Sequence, residues 1–309
     1  MNFIPIIGGL LLLIFGGDWL LKAAVALSLK LNISKAVIGL TVVSFATSAP
    51  ELIVSINAAL HGAADLSLGN VIGSNIANLG LVLGITTMLT SINVAKSFYK
   101  TDWPVMMVAS VLLYFFLWND AVITRIEGLL LLSLLITFLV YLLKFQNTNH
   151  TQEVSEEKSS SDFKILLFLV FGGVGLWLGS ELLVKGATNL AQQYGVTERI
   201  IGITVVSIGT SIPELAASII AVIKKEKAIS LGNLIGSNIF NILAVLGITS
   251  IITPIQLTDY GLRSNDILWM LAIAFAILPL VFISKRFQLN WKAGTILLLA
   301  YLFFIFLTL

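Results

Sequence analysis

Cysteine is absent from the 309 residues, which excludes disulfides and thiolate metal sites. Histidine is nearly absent: His61 and His150 are the only two, and both lie in stretches that read as loops. No imidazole is left for a buried metal centre or a catalytic triad. Charge is scarce as well. Asp, Glu, Lys and Arg make up 11% of the chain, against about 25% in soluble domains. Hydrophobic residues make up 58%, and the mean hydropathy is +1.00. So few charges cannot coat a soluble globule, and the composition is that of an integral membrane protein with little outside the bilayer. The longest polar segment, "KFQNTNHTQEVSEEKSSSDFK" at 144–164, is too short for a nucleotide domain and lacks a P-loop pattern. That argues against an ATP-driven pump. An intramembrane protease is disfavoured because no histidine lies in a span. The chain is read as a non-enzyme without nucleic-acid partner, resident cofactor or obligatory protein partner. The first residues, "MNFIPIIGGLLLLIF", have no Lys or Arg before the apolar run and no small-residue cleavage site after it. They read as a first span and not as a removed signal peptide.

A spanning helix needs roughly 20 apolar residues. Ten stretches qualify: 3–21, 36–60, 66–91, 104–119, 122–144, 163–184, 197–223, 229–251, 266–284 and 291–308. The Ser-, Glu- and Asn-rich segment 144–164 reads as a flexible linker. It divides the chain into halves of five spans each, 1–143 and 165–309. Lys and Arg collect on cytoplasmic loops. With the N-terminus outside, fourteen of the eighteen basic residues fall on the cytoplasmic side; Arg125, Lys185, Arg199 and Arg263 fall outside. The expected topology therefore has both termini outside and the linker inside.

The two halves repeat each other. "GLTVVSFATSAPEL" (39–52) and "GITVVSIGTSIPEL" (202–215) share ten of fourteen residues, and "GNVIGSNIANLGLVLG" (69–84) and "GNLIGSNIFNILAVLG" (232–247) share eleven of sixteen. One offset, 163 residues, relates both pairs without a gap. Narrow membrane composition would explain recurring Leu, Ile and Val. It does not explain Thr-Ser-x-Pro-Glu and Gly-Asn-x-Ile-Gly-Ser-Asn recurring in register. Five spans is an odd number, so the halves must face opposite ways. The expected fold is all-α, ten transmembrane helices arranged as two inverted five-helix repeats. Such repeats mark secondary transporters, whose substrate sites lie near the bilayer midplane.

Glu51 and Glu214 fall near mid-span in the second and seventh stretches. A charge at the bilayer centre costs about 2.5–3.5 kcal/mol on insertion scales and marks an ion or proton pathway by default. Pro50 and Pro213 precede these acids directly. Each removes a backbone donor and kinks or breaks its helix, which frees carbonyls about one turn back, near Ser44 to Ala46 and Ser207 to Gly209. The neighbouring side chains are oxygen donors: Thr47, Ser48, Thr210 and Ser211. Ser74 and Asn78 are four apart and share a helix face, as do Ser237 and Asn241. Asn75 and Asn238 lie off that face by about 60–100°. Serine and threonine in membrane helices commonly bond their own backbone, so no single hydroxyl carries the argument. An all-oxygen set suits Ca²⁺, Mg²⁺, Na⁺ or K⁺. Two ionised glutamates carry −2, which one Ca²⁺, two Na⁺ or two H⁺ would neutralise. Such a site favours obligatory exchange.

The paired blocks "SFATSAPE…GNVIGSNIAN" and "SIGTSIPE…GNLIGSNIFN" resemble the α-1 and α-2 repeats of the cation/calcium antiporter superfamily, and in particular its compact prokaryotic Na⁺/Ca²⁺ exchangers. The likeness covers essentially the whole chain, with the motifs at 39–84 and 202–247. It implies a midplane cation site built by helices 2, 3, 7 and 8. The implied ligands are Glu51 and Glu214 centrally, with Thr47, Ser48, Ser74, Thr210, Ser211 and Ser237 around them. Ser44 and Ser207 match positions that contribute backbone carbonyls, and Asn78 and Asn241 match a central pair of amide or acid positions. Relatives can carry Asp where this chain has Asn241. The likeness also implies that helices 1 and 6 slide as a pair, and that Ca²⁺ and Na⁺ are transported substrates in a prokaryotic plasma membrane. Ca²⁺/H⁺ exchange is the alternative on the same architecture, with a Mg²⁺ or K⁺-coupled variant third, and a passive cation channel is the alternative of another class.

Overall fold

A computed structural model describes residues 3–145, 161–193, 207–284 and 287–308. Most of the expected linker, His150, and the first part of the seventh expected span lie outside these residues. The described chain is helical apart from four two-residue strands. Among the described residues, eight helices are long and apolar enough to cross a bilayer. A further crossing can come from the consecutive helices Lys35–Thr47 and Ala49–Leu60, and Ile212–Ile223 is a shorter apolar helix.

Two span boundaries need correction. The first stretch was expected to end near residue 21, yet one helix runs Phe3–Leu31. The sixth was expected to end near 184, yet its helix runs Asp162–Gln193. Nothing in "LLKAAVALSLK" breaks a helix, and a lysine inside a helix can be accommodated by an acid one turn away. Lys22 bonds Asp18 at 2.6 Å, at spacing i, i+4. The first helix stops where Asn32 takes φ 53°, a conformation asparagine tolerates. Ser34 then caps the next turn by accepting from the Val37 amide at 3.2 Å.

The chain folds as two compact units, residues 1–47 with 139–233 and residues 48–138 with 234–309. Each unit draws on both sides of the linker segment.

In the first unit, Phe3–Leu31 packs antiparallel on Asp162–Gln193. The contact is glycine against backbone. A Cβ added to Gly9 would lie 2.7 Å from the Gly179 carbonyl, and one added to Gly16 would lie 3.0 Å from that of Gly172. These contacts are reciprocal under the 163-residue offset, since Gly9 matches Gly172 and Gly16 matches Gly179. Gly39 and Gly232 make a second close crossing: a Cβ on Gly39 would meet the Ile229 carbonyl at 2.6 Å. Ion pairs join Lys30 to Asp162, Lys35 to Glu226 and Asp18 to Lys224.

Two spans of the second unit are far more enclosed than the rest: 78% of the window of Ala64–Leu89 and 83% of that of Lys227–Ile252, which enters this unit at Leu234, are buried, against 28% for Arg125–Lys144. In Ala64–Leu89, Leu68, Ile72, Ile76, Leu79 and Leu83 are completely buried. Short strands pair crosswise: Ile92–Asn93 with Gln288–Leu289, and Val122–Ile123 with Ile255–Gln256, both antiparallel. The first strand of one half thus meets the second strand of the other. Gly84 and Gly294 bring Leu83–Leu89 against Trp291–Thr308.

Candidate cation site

The two acidic motifs have the same backbone. The helix ending at Thr47 stops at Ser48 and restarts at Ala49; the second copy breaks at Thr210 and Ser211 and restarts at Ile212. Ser48 has φ −88°, ψ 2°, and Ser211 has φ −91°, ψ 4°, the sparsely populated bridge region between helix and strand. Pro50 and Pro213 occupy the second position of the restarted helices, where no intrahelical amide donor is required. Glu51 and Glu214 therefore sit in first turns. There, unpaired amides and the positive end of the helix dipole favour a negative charge, by about 0.3–1 kcal/mol at exposed sites. Both glutamates are completely buried. The sequence reading found the break and the acid; it did not find that the acid stands at a helix N-terminus.

The first unit holds Glu214, Ser211, Thr210, Ser207, Ser44, Thr47 and Asn233. Thr47 Oγ1 donates to Asn233 Oδ1 at 3.1 Å, with the Ser44 carbonyl at 3.3 Å. Ser44 Oγ lies 2.7 Å from the Gly39 carbonyl and 2.9 Å from that of Asn233, so its hydroxyl is taken up by backbone. Asn233 Nδ2 reaches Ser218 Oγ at 3.4 Å. Ser211 Oγ is buried and has no hydrogen-bond partner among the described residues. Thr210 lies at the break, half-buried, and Ser207 opens the short helix before it. Ser180, the match of Gly17, donates to the Gly209 carbonyl at 2.7 Å.

The second unit holds Glu51, Ser48, Ser74, Asn78, Ser237 and Asn241, all buried. Ser74 Oγ donates to the Asn70 carbonyl one turn back at 2.7 Å. Asn70 Nδ2 lies 3.0 Å from Ser55 Oγ and 3.3 Å from the Glu51 carbonyl. It repeats the bond of its match Asn233 to Ser218, the match of Ser55. Asn75 and Asn238, expected off the ligand face, are buried and bonded to each other. Asn75 Nδ2 reaches the Asn238 carbonyl at 3.3 Å and Asn238 Nδ2 the Asn75 carbonyl at 3.1 Å. Asn241 Nδ2 donates to Asn75 Oδ1 at 3.1 Å.

Asn78 and Asn241 begin π-helical turns, Asn78–Val82 and Asn241–Leu246. Such turns widen the helix and frequently mark functional sites. Both polar atoms of the Asn78 amide, and Oδ1 of Asn238 and Asn241, are buried with no hydrogen-bond partner among the described residues. A buried polar group without a partner costs about 1–3 kcal/mol. Amide oxygens left in that state inside an apolar bundle are ready to coordinate a cation.

Sequence reasoning passed over Ser55, Ser218, Asn70 and Asn233 as parts of the site, and set Asn75 and Asn238 aside. Their identity across the repeat was the available signal. Among the described residues no three of His, Cys, Asp and Glu come together as a metal cluster. The carboxylates are diluted by amides and hydroxyls, a donor set that suits a hard cation passing through better than a resident transition metal. Asp18 and Glu181 stand apart from these donors: Asp18 is salt-bridged to Lys22 and Lys224, and Glu181 is exposed. His61 is exposed and closes its helix on the Asn57 carbonyl at 2.8 Å.

This architecture is that of a multi-pass, all-helical membrane protein with buried oxygen donors in each of its two units. The chain belongs to the sodium/calcium exchanger protein family, whose pattern it matches over residues 1–144 and 164–309. It is similar to CaxA of Alkalimonas amylolytica, 39% identical over 304 residues covering 95% of this chain and 94% of that protein. The sodium/calcium exchanger MaX1 of Methanosarcina acetivorans is 29% identical, with 99% and 97% covered. Among solved structures, the sodium-calcium exchanger NCX_Mj superposes with a TM-score of 0.84 at 29% identity, over 98% of this chain and 97% of that one. These relatives are transporters and not enzymes.

Proposed function

We propose that this chain is a secondary antiporter that exchanges Ca²⁺ for Na⁺ across a prokaryotic plasma membrane. Glu51 and Glu214 are its central ligands, helped by Asn78, Asn241, Ser48, Thr47, Thr210, Ser211, Ser74 and Ser237 and by the carbonyls of Ser44 and Ser207. The observation that carries this reading is the twofold occurrence of a completely buried glutamate in the first turn of a restarted helix. The unpartnered amide oxygens of Asn78 and Asn241 support it.

Coupling follows from charge. Two ionised carboxylates at bilayer depth are costly when empty, at about 2.5–3.5 kcal/mol for each on insertion scales. One Ca²⁺ or two Na⁺ remove that cost, so the loaded protein changes its access and the empty one does not. Ten spans in two inverted halves complete the reading. The reciprocal contacts Gly9–Gly179 and Gly16–Gly172, the crosswise strands and the paired Asn75 and Asn238 bonds support that symmetry. The excess of Lys and Arg on one side supports termini outside and a cytoplasmic linker at 144–164 between the halves 1–143 and 165–309.

The test is ⁴⁵Ca²⁺ uptake into proteoliposomes. Na⁺ loaded inside should drive uptake, and uptake should stall when no counter-ion is present. Uptake that needs a pH gradient and ignores Na⁺ would overturn the reading in favour of proton coupling. Uptake without any counter-ion would favour a channel.

A further inference from the structure

We propose that Asn75 is a positioning residue. It holds the Asn241 amide with its nitrogen committed and its carbonyl oxygen available to the transported cation, and so specifies an amide, not an ionised carboxylate, at position 241. The proposal rests on the cation-exchange reading above.

An amide has a donor end and an acceptor end, and its neighbours decide which way it points. Asn75 Nδ2 lies 3.3 Å from the backbone carbonyl of Asn238, which can only accept. The nitrogen of Asn75 is fixed there, with the Met270 sulfur 3.8 Å away as a second, weak acceptor. Asn75 Oδ1 must then face the other way. The amide it faces is Asn241, whose nitrogen is 3.1 Å from it. Were Asn241 turned over, two carbonyl oxygens would oppose each other. The nitrogen of Asn241 is thus used up, and its Oδ1, buried and without a partner among the described residues, is the atom left for a ligand. Asn238 locks the arrangement by donating to the Asn75 carbonyl at 3.1 Å. Asn75, Asn238 and Asn241 are all about 1% exposed or less, so water does not replace these bonds.

The same geometry acts against an acid at 241. An ionised carboxylate would present oxygen to Asn75 Oδ1 and have nothing to donate. A protonated one could donate its O–H. Asparagine at 241 satisfies Asn75 Oδ1 with its own N–H.

Equilibrium ⁴⁵Ca²⁺ binding to the purified full-length protein tests this, with Asn75→Ala set against the unsubstituted chain and the unfolding midpoint of each measured alongside. Without its holding bond the Asn241 amide is free to turn its nitrogen toward the cation, so the Ca²⁺ Kd should rise about tenfold, the scale of one net hydrogen bond. An unchanged Kd in the folded variant would overturn the proposal, and so would a lowered unfolding midpoint with Kd unchanged, the mark of a merely structural role. Asn75→Ser, too short to reach position 241, serves as the second variant should the alanine variant not fold. Binding does not depend on the coupling ion: normal Ca²⁺ binding without Na⁺-driven uptake by the unsubstituted protein would refute the exchange reading and leave this result standing.

Discussion

Glu51 and Glu214 are the residues on which transport should depend most sharply. Glu51→Gln or Glu214→Gln removes charge at nearly constant volume, so each variant should insert and fold yet lose ⁴⁵Ca²⁺ exchange. Near-normal transport by either would refute the assignment. The hydroxyls divide more finely. Ser44 Oγ is occupied by the Gly39 and Asn233 carbonyls. Ser44→Ala should therefore leave the Ca²⁺ KM unchanged and lower stability by about 1 kcal/mol, one net hydrogen bond, read as a lower unfolding midpoint by tryptophan fluorescence. Ser211 Oγ has no hydrogen-bond partner among the described residues, so Ser211→Ala should raise the KM with little effect on unfolding. The sequence put both serines in the motif. It could not separate them, because the partner that occupies Ser44 belongs to Asn233, 189 residues away. The amides show the same limit: Asn75 looked peripheral on an ideal helical wheel, and its partners Asn238 and Asn241 lie 163 and 166 positions along.

At the scale of elements, hydropathy located the long helices well, and Thr-Ser-x-Pro-Glu located both breaks. Helix lengths were less legible. Lys22 and Lys30 look like loop residues in a one-dimensional scan, but Asp18 and Asp162 accommodate them, so the first helix continues to Leu31. The π-helical turns at Asn78–Val82 and Asn241–Leu246 have no compositional signature in a single chain. Close glycine contacts were not legible, because their partners lie far along the chain. A Cβ on Gly232 would lie 2.5 Å from the Ala36 carbonyl, an atom of backbone that cannot rotate away. Gly232→Val should force the crossing helices apart, destabilise the protein by about 1–3 kcal/mol and lower the unfolding midpoint. Gly73→Ala, with open space around the added methyl, should leave it unchanged.

At the scale of the whole molecule, the repeat was the most legible feature, since an ungapped offset needs no structure to be seen. The compact units were not legible, because each is assembled from both halves and packing across 100 or more residues leaves no mark on local composition. The proposed topology has a direct test in a chain without cysteine. Ser155→Cys, in the linker, should react with a membrane-impermeant maleimide in inside-out vesicles and stay unlabelled in intact cells. Labelling in intact cells would reverse the orientation.

The bonds between Asn75 and Asn238 also bear on how such a chain could have arisen. Each residue meets its own counterpart, and each donates to the other's backbone. That is the pattern of an isologous dimer contact, in which one patch serves both partners. A half-length ancestor inserted in both orientations could have made the same bond with a second copy of itself, and fusion would have turned the subunit interface into the interior of one chain. Residues 1–143 and 165–309, produced as separate polypeptides in one cell, should then find each other and co-purify. Replacing Asn75 in the first fragment should weaken that recovery more than replacing the exposed His61.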